Sequence, residues 1–377
     1  MRLFVACAPG LEPLLGEEVR ELGFAPGVLT ARAGGIEVDA DLQGAYDLLF
    51  GCRLGLSVRL RLAKFRSTHF AQLERQLGKL SWREWLPAGQ PIVVRATARR
   101  SRLYHTAAIA ERVGRSAVSR TGARIADAGA GAADPGGPLL LHARVERDDF
   151  SLSLDLCGGP LQRRGYRKQA GKAPLREDLA AALLRVAGYD GRVPLVDPLC
   201  GAGTLVIEAG MIAGGFPPGY GRSFAIERLP FHDPRVCGRA RSRRGVTSEG
   251  WPPIVGSDRD AGVIGAARSN AARAGVADAL SLSCAPLSKC ALPTAPEGAR
   301  GLIVTNPPYG KRVGRPTALR DLYASLGAVR RRAGSGFKLA LVTSEPALAH
   351  ATGIRLSPVC LTDAGGTKVR LYCEAEG

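Results

Sequence analysis

The sequence predicts an α/β protein in which a Rossmann-like C-terminal domain follows an α+β region. After Gly159, short apolar runs alternate with helical stretches, which is the pattern of βαβ units around a mostly parallel sheet. Before Gly159, strands and helices follow no such alternation, and two apolar runs are joined at Asp148-Asp149 like the arms of a hairpin. A chain of 377 residues is long enough for two or three domains.

These changes of pattern divide the chain into residues 1–43, 44–158 and 159–377, and a basic, Pro/Gly-rich insertion is predicted at 214–253. A helix is predicted from about Leu11 to Gly23, because glycine suits a left-handed helix end. The other predicted helices are residues 106–121, 204–213 and 261–274. The predicted strands are residues 3–5, 36–38, 57–62, 92–96, 139–145, 150–156, 195–196, 254–255, 302–305 and 339–342.

Positive charge is concentrated in the second segment. The net charge of the chain is +18, and between Arg59 and Arg124 fifteen Lys and Arg face only three Glu, a local net charge of +12. High-GC coding bias also raises arginine content, but the first 58 residues carry four Arg and no Lys. Further basic clusters lie at 235–244 and 311–338. Basic stripes with few balancing acids indicate a nucleic-acid partner.

The composition also excludes several classes of protein. No apolar run approaches the roughly 18 residues that a membrane span needs, and acids and a proline interrupt the N-terminal apolar patch too early for a secretory signal. The nine cysteines include no CxxC pair, so neither a disulfide framework nor a metal site is expected. We therefore expect a cytoplasmic protein without a membrane segment or a bound metal; its oligomeric state is left open.

A glycine-rich turn follows the first strand of the C-terminal domain and reads Asp197-Pro198-Leu199-Cys200-Gly201-Ala202-Gly203-Thr204. Glycines there permit a tight turn and close approach of a ligand, and the helix that begins at Thr204 points its amides at that ligand. NAD, flavin and phosphate binders use similar turns, but Asp197 suits the ammonium group of a cofactor with an amino-acid tail. The predicted cofactor-binding residues of this turn are Asp197, Pro198, Cys200, Gly201, Gly203 and Thr204.

Two aspartates follow the next strand. Asp258 stands where a carboxylate accepts hydrogen bonds from ribose hydroxyls in related nucleotide-binding folds. Asp260 precedes a helix, so we expect it to cap that helix and not to bind a ligand. Asp258 completes the predicted cofactor-binding set.

The predicted catalytic residues are Asn306, Pro307, Pro308 and Tyr309, which follow an apolar strand. The exocyclic amine of a nucleobase is a poor nucleophile, because its lone pair is delocalised into the ring. The side-chain oxygen of Asn306 and the carbonyl of Pro307 can accept its N–H groups and direct the lone pair at a methyl donor. The prolines fix φ and remove backbone donors, and Tyr309 offers a face on which the base can stack. Together with the glycine turn, the tetrapeptide predicts an amino-directed methyltransferase that uses S-adenosylmethionine.

With these motifs in place, the chain resembles bacterial THUMP-domain RNA methyltransferases that form N2-methylguanosine, and it is most similar to the 23S rRNA guanine-N2 methyltransferase family. The resemblance covers nearly the whole chain. It is carried by residues 7–12, 101–105, 152–158, 161–167, 173–177, 197–204, 224–227 and 306–310.

The resemblance implies a ferredoxin-like segment at 1–43, a THUMP domain at 44–158 and a methyltransferase domain at 159–377. It implies that the first two segments hold structured RNA, and that the target guanine is flipped out of its stack. The predicted RNA-binding residues are Arg95, Arg99, Arg100, Arg102, Arg112, Arg115, Arg163 and Arg164.

The chain departs from the family pattern at two places. Pro286 stands where an acidic residue usually contacts the adenine, and Gly365-Gly366-Thr367 replaces an Asn-Gly turn. Three readings stay open: a 23S rRNA enzyme, a tRNA guanine-N2 methyltransferase of the same architecture, and a non-catalytic RNA-binding or ribosome-assembly protein. A DNA adenine-N6 methylase has a similar tetrapeptide, but that reading does not account for the basic domain at 44–158.

Overall fold

The computed structural model describes residues 1–127, 136–168, 175–242, 250–295, 299–310 and 316–375. Parts of the basic clusters at 235–244 and 311–338, and of the junction at 173–177, lie outside these residues. The chain divides into two compact units. The N-terminal unit comprises Met1–Cys7, Val19–Leu161 and Gly221–Arg243, and the C-terminal unit comprises Ala8–Glu18, Gln162–Tyr220 and Arg244–Gly377.

Leaving aside short 3₁₀ turns, the elements up to residue 155 are β1 (Arg2–Ala6), α1 (Glu12–Glu21), β2 (Leu29–Arg32), β3 (Gly35–Asp39), α2 (Leu42–Gly51), β4 (Ser57–Arg66), α3 (Phe70–Leu77), α4 (Trp82–Trp85), β5 (Pro91–Arg99), α5 (Thr106–Thr121), β6 (Arg124–Ile125), β7 (Leu139–Glu146) and β8 (Asp149–Asp155). The elements that follow are α6 (Glu177–Val186), β9 (Leu195–Asp197), α7 (Thr204–Ala213), α8 (Pro234–Ser242), β10 (Ile254–Asp258), α9 (Ala261–Ala274), β11 (Leu280–Cys284), β12 (Gly301–Thr305), α10 (Pro316–Arg332), β13 (Phe337–Thr343), α11 (Pro346–Ala351), β14 (Leu356–Ala364) and β15 (Thr367–Glu374).

An eight-stranded sheet forms the N-terminal unit, in the order β2-β3-β1-β4-β8-β7-β5-β6. The boundary expected between residues 43 and 44 does not separate two sheets, because β1 pairs antiparallel with β4. The predicted hairpin is confirmed: β7 and β8 pair antiparallel across Arg147 and Asp148. Both of these residues have positive φ, which matches the right-handed twist of a two-residue turn.

The two faces of this sheet differ in chemistry. Alternate residues such as Leu3, Leu60, Leu141 and Leu154 are buried on one face, where α2 and α5 contact the strands. The other face carries the polar and charged residues of the same strands, because side chains alternate along a strand. Part of the predicted insertion at 214–253 belongs to the N-terminal unit, which includes Gly221–Arg243.

A seven-stranded sheet forms the C-terminal unit, in the order β11-β10-β9-β12-β13-β15-β14. The first five strands are parallel, and β15 and β14 complete the sheet in antiparallel pairing. The predicted Rossmann-like architecture is therefore confirmed. The central strands β9 and β12 are buried along their length, as expected for a sheet covered on both faces.

Among the described residues, no helix combines the length and apolar composition needed to cross a bilayer.

Candidate active site and nucleic-acid interface

The predicted site residues of the C-terminal unit meet at one edge of its sheet. The adjacent parallel strands β10, β9 and β12 end at Asp258, Asp197 and Thr305, and Asn306 follows directly. The chain passes from β9 to β10 on one side, whereas β12 lies on the other side of β9. Such a reversal of strand order opens a crevice at the carboxyl ends of the strands, where open α/β sheets bind ligands.

The glycine turn between β9 and α7 is shaped to receive a ligand. Gly201 and Gly203 have φ values of +50° and +88°, a region that favours glycine. A Cβ on Gly203 would lie 3.1 Å from the Cβ of Ala267, so this glycine permits close packing of the turn against α9. A Cβ on Gly201 would meet no atom of any described residue within 4 Å. The backbone at Gly201 therefore borders open space that a ligand can occupy.

Asp258 fixes this turn and keeps the capacity to bind a ligand. Its Oδ2 accepts a hydrogen bond from the Gly201 amide at 3.1 Å, and its Oδ1 accepts one from the Asp260 amide at 3.0 Å. Each carboxylate oxygen has two acceptor sites, so each can accept a further hydroxyl donor. Asp260 caps α9 through the amides of Gly262 and Val263, which confirms the prediction for that residue.

Asp197 lies in the centre of the site and is 2% exposed. Its Oδ1 accepts hydrogen bonds from the Leu199 amide at 3.1 Å and from the Thr305 hydroxyl at 2.7 Å. The pKa of Asp197 is raised to about 7, chiefly by burial; the hydrogen bonds from Thr305 and Leu199 lower it in part, and the nearby Asp258 adds a smaller increase. A buried carboxylate of this kind is stabilised by a cationic ligand. Sequence reasoning missed Thr305, which directly precedes Asn306 and whose hydroxyl donates to Asp197.

Asn306 presents an acceptor to which none of the described residues donates. The acceptor is its side-chain Oδ1, which is buried. An orphaned buried acceptor costs about 1–3 kcal/mol, so its persistence points to a donor that arrives with a ligand. Pro307 is buried, whereas Pro308 and Tyr309 are partly exposed. Tyr309 packs against the core of the C-terminal unit, which holds its ring in place.

The remaining predicted cofactor residues form the wall of the turn. Pro198 and Cys200 are buried, and the Cys200 amide donates to the carbonyl of Ser257 at 2.9 Å, which ties the turn to β10. Thr204 begins α7, and its hydroxyl accepts a hydrogen bond from Arg167 at 3.2 Å. Pro286 follows β11, whose last residue, Cys284, pairs with Asp258. The position of the missing acid therefore lies beside the site.

The predicted RNA-binding arginines of the N-terminal unit are mostly exposed. Arg95 and Arg99 lie on β5, and Arg100 and Arg102 lie in the loop that follows it; all four are exposed. Arg115 is exposed and pairs with Glu111 on the same helix. Arg112 has contacts within the protein: its guanidinium lies 4.0 Å from the centre of the Phe70 ring and 3.0 Å from Glu74.

Arg163 and Arg164 are neighbours with opposite environments. Arg163 is exposed, but the side chain of Arg164 is only 1% exposed and lies 3.4 Å from the fully buried carboxylate of Glu208 on α7. The prediction that Arg164 binds RNA is therefore wrong, because a buried and paired guanidinium cannot reach a phosphate. Its role is structural: it packs beneath the helix that follows the glycine turn.

The polar face of the eight-stranded sheet contains basic residues that sequence reasoning did not single out. A depression of about 390 Å³ is lined by Arg59, Arg61, Lys64 and Arg144, among others. Arg61 donates to the Ser153 hydroxyl at 2.8 Å and lies 3.4 Å from Glu37. Burial lowers the pKa of Arg59 and Arg61, so an added anion would stabilise their charge. The recurrence of Arg at alternate positions of β4 was the sequence signal for this face.

Within the described ranges, no three His, Cys, Asp or Glu side chains are grouped as metal ligands.

Comparison with known proteins agrees with this geometry. Residues 164–359, more than half of the chain, match the family described as the RMKL-like methyltransferase domain. Residues 2–56 match the RlmL ferredoxin-like domain, which extends beyond the boundary expected at residue 43.

Two solved structures resemble the whole chain. A possible methylase from Clostridium difficile 630 is 27% identical, with a TM-score of 0.88 over 100% of this chain and 98% of that one. The SMU.472 protein, solved in complex with SAH, is 23% identical, with a TM-score of 0.87 over 100% and 98%. At that identity the second likeness concerns the fold alone.

A curated relative from Syntrophotalea carbinolica is named ribosomal RNA large subunit methyltransferase K/L. It is 39% identical over 98% of this chain and 53% of its own length. The chain thus spans about half the length of the curated relatives it matches. On the match over residues 164–359, the chain belongs to the RMKL-like methyltransferase domain family.

Proposed function

We propose that the chain is an S-adenosylmethionine-dependent RNA methyltransferase that methylates the exocyclic N2 amine of a guanine in 23S rRNA. The observation that carries the proposal is the buried Oδ1 of Asn306, which accepts no hydrogen bond from a described residue. It follows directly after the strand whose Thr305 is bonded to Asp197. The Asn306 Oδ1, an acceptor for an N–H group, therefore belongs to the residue that directly follows the hydrogen-bond partner of Asp197, a carboxylate suited to a cationic cofactor.

The residues of the glycine turn fit this cofactor. Asp197 holds the ammonium of its amino-acid tail, because a positive ligand offsets the burial that raises the pKa of this carboxyl. The open space at Gly201 admits the cofactor against the backbone, and the spare acceptor sites of Asp258 receive the ribose hydroxyls. When bound, S-adenosylmethionine supplies an electrophilic methyl group. The SAH held by SMU.472 is the form such a cofactor takes after transfer.

The Asn306-Pro307-Pro308-Tyr309 turn prepares the nucleophile. The Asn306 Oδ1 and the Pro307 carbonyl accept the two N–H groups of the amine, which directs its lone pair toward the methyl group. Because the oxygen of Asn306 needs no rearrangement of existing bonds, the site is already organised for this contact. Tyr309 stacks on the flipped base. Most of the rate enhancement comes from positioning two bound reactants.

RNA is the polymer that the N-terminal unit is suited to hold. We propose residues 44–158 as a THUMP-type RNA-binding region, with exposed Arg95, Arg99, Arg100, Arg102 and Arg115 as phosphate contacts. The basic depression around Arg59 and Arg61 adds a second set, and Arg163 is the candidate outside this region. The name of the Syntrophotalea carbinolica relative supports large-subunit rRNA as the substrate, and the resemblance of the motifs supports guanine N2.

The proposed substrate and the buried thiols support a cytoplasmic location. Ribosomal RNA is modified in the bacterial cytoplasm, and Cys200, Cys237 and Cys290 are buried thiols outside any disulfide, which suits a reducing environment. We therefore propose a cytoplasmic enzyme.

A labelling experiment tests the proposal. Purified protein is incubated with methyl-labelled S-adenosylmethionine and total RNA from cells that lack this modification, and the RNA is then separated by size and digested to nucleosides. We expect label in 23S rRNA that co-migrates with N2-methylguanosine. Label in tRNA would identify the tRNA enzyme instead. Absence of label from every RNA, with cofactor binding intact, would support the non-catalytic alternative.

A further inference from the structure

The loop between β5 and α5 presents a tilted aromatic pair to solvent. The Tyr104 side chain is 66% exposed, and its ring centre lies 4.1 Å from that of His105, with the planes inclined by 37°. The preceding residue, Leu103, is 3% exposed and anchors the loop in the core. The outer face of Tyr104 is therefore a flat apolar surface of fixed position that the N-terminal unit leaves open to solvent.

This loop is held in one conformation by the tip of the β7–β8 hairpin. The carboxylate of Asp148 accepts a hydrogen bond from the Arg102 amide at 2.8 Å, and the Asp148 amide donates to the Ser101 hydroxyl at 3.1 Å. The Arg147 amide donates to the carbonyl of Arg99 at 3.1 Å. Arg100, Arg147 and Asp148 all have positive φ. Such backbone is retained where surrounding contacts determine it, and it occurs often at ligand-binding loops.

Four arginines lie at the end of β5, in the loop that carries the aromatic pair and at the hairpin tip that is hydrogen-bonded to that loop. Arg99, Arg100, Arg102 and Arg147 are all exposed, and the hydrogen bonds above join the two segments that carry them. Two carboxylates lie near these arginines: Asp148 accepts a hydrogen bond from a backbone amide, and Glu146 pairs with Arg144 at 2.6 Å. An aromatic face bordered by cations matches a nucleotide, whose base stacks on a ring while its phosphates meet positive charge.

We propose that Tyr104 is a stacking platform for an unpaired base of the bound RNA, and that Arg99, Arg100, Arg102 and Arg147 bind the flanking phosphates. The occupant is an unpaired nucleotide and not a duplex, because a paired base shows no free face to a side chain. The proposal rests on the RNA-binding function proposed above. The Tyr104 platform would contact the face of an RNA base, whereas the predicted arginines would contact only RNA phosphates.

Binding of a fluorescent RNA of mixed sequence, single-stranded or annealed to its complement, tests the platform on the full chain without cofactor. Tyr104→Ala should weaken binding of the single strand by roughly 5- to 150-fold and leave the slope of affinity against salt unchanged. Tyr104→Phe, which keeps the ring, should bind as the unmodified protein does. Binding of the duplex should change less than about twofold in either variant.

Two further variants separate stacking from charge and from folding. Arg102→Ala should lower the salt slope for the single strand by about 0.7, the value for one lost phosphate contact. Ile125→Ala removes another exposed apolar side chain of the same unit, which is 60% exposed, and should leave RNA binding unchanged.

The platform is overturned if Tyr104→Ala binds the single strand normally, if it weakens both RNAs equally, or if the unmodified protein binds neither. Labelling of 23S rRNA is measured independently, so that result decides the proposed methyl transfer even when the platform fails.

Discussion

The predicted RNA-binding arginines on and after β5 differ in their surroundings from two arginines near the glycine turn. In the N-terminal unit, Arg95, Arg99, Arg100 and Arg102 are exposed. In the C-terminal unit, Arg164 is buried against Glu208, and Arg167 lies 3.2 Å from Glu177 with its side chain 14% exposed. The same residue type is thus exposed and proposed to bind RNA in one region, and is paired with carboxylates beside the glycine turn in the other. Net charge alone does not separate these roles, whereas burial and the nearest carboxylate do.

The largest effect is expected from breaking the buried pair. Arg164→Ala removes the guanidinium that lies 3.4 Å from the buried carboxylate of Glu208 and should lower the free energy of unfolding by about 3–5 kcal/mol. The neighbouring Arg163→Ala is the matched control, because Arg163 is exposed, and should change it by less than about 0.5 kcal/mol. Urea denaturation followed by circular dichroism measures both. Equal losses in the two variants would remove the distinction between these arginines.

A smaller, pH-dependent effect is expected at Asp197, whose pKa burial raises to about 7. The ammonium group of the cofactor favours the ionised carboxylate, so cofactor affinity should rise by up to about tenfold per pH unit as the pH approaches 7 from below. The rise should end near pH 8, where an α-amino group itself loses its proton. Calorimetric titration with S-adenosylhomocysteine measures this dependence.

Variants identify the group responsible. Asp197→Asn should abolish the pH dependence of cofactor affinity, whereas Asp258→Asn should weaken binding and keep it. The raised pKa has the opposite effect on folding. Because the folded pKa of Asp197 exceeds the unfolded value near 3.9, its contribution to the stability of the ligand-free protein should fall from about pH 4 to 7. A cofactor affinity that is flat between about pH 6 and 8 would contradict the role of Asp197.

The convergence of the candidate site residues could be predicted from sequence because each residue lies at or directly after the end of a strand in a parallel sheet. Asp197, Asp258 and Asn306 each follow an apolar run, and parallel strands bring such ends to one edge. The helix at 106–121 and the hairpin at Asp148 were also predictable, because periodicity and turn residues are local signals.

What depends on contacts distant in sequence could not be predicted. The pairing of β1 with β4 merges the expected first two segments into one sheet, and no local pattern encodes that register. The burial of Arg164 depends on Glu208, more than forty positions away. The bond between Thr305 and Asp197 spans 108 positions. The exposure of Tyr104 likewise depends on the burial of Leu103 in the tertiary structure.

In the proposed reaction, the Oδ1 of Asn306 accepts a hydrogen bond from the target amine. Single-turnover transfer of labelled methyl to 23S rRNA by Asn306→Ala tests it most directly, with RNA and cofactor affinities measured in parallel. We predict a loss in rate on the order of 100- to 1,000-fold, as for other preorganised hydrogen-bonding groups in active sites, with both affinities within about threefold of the unmodified protein. A rate within a few-fold of the unmodified protein, with both ligands bound, would contradict the claim.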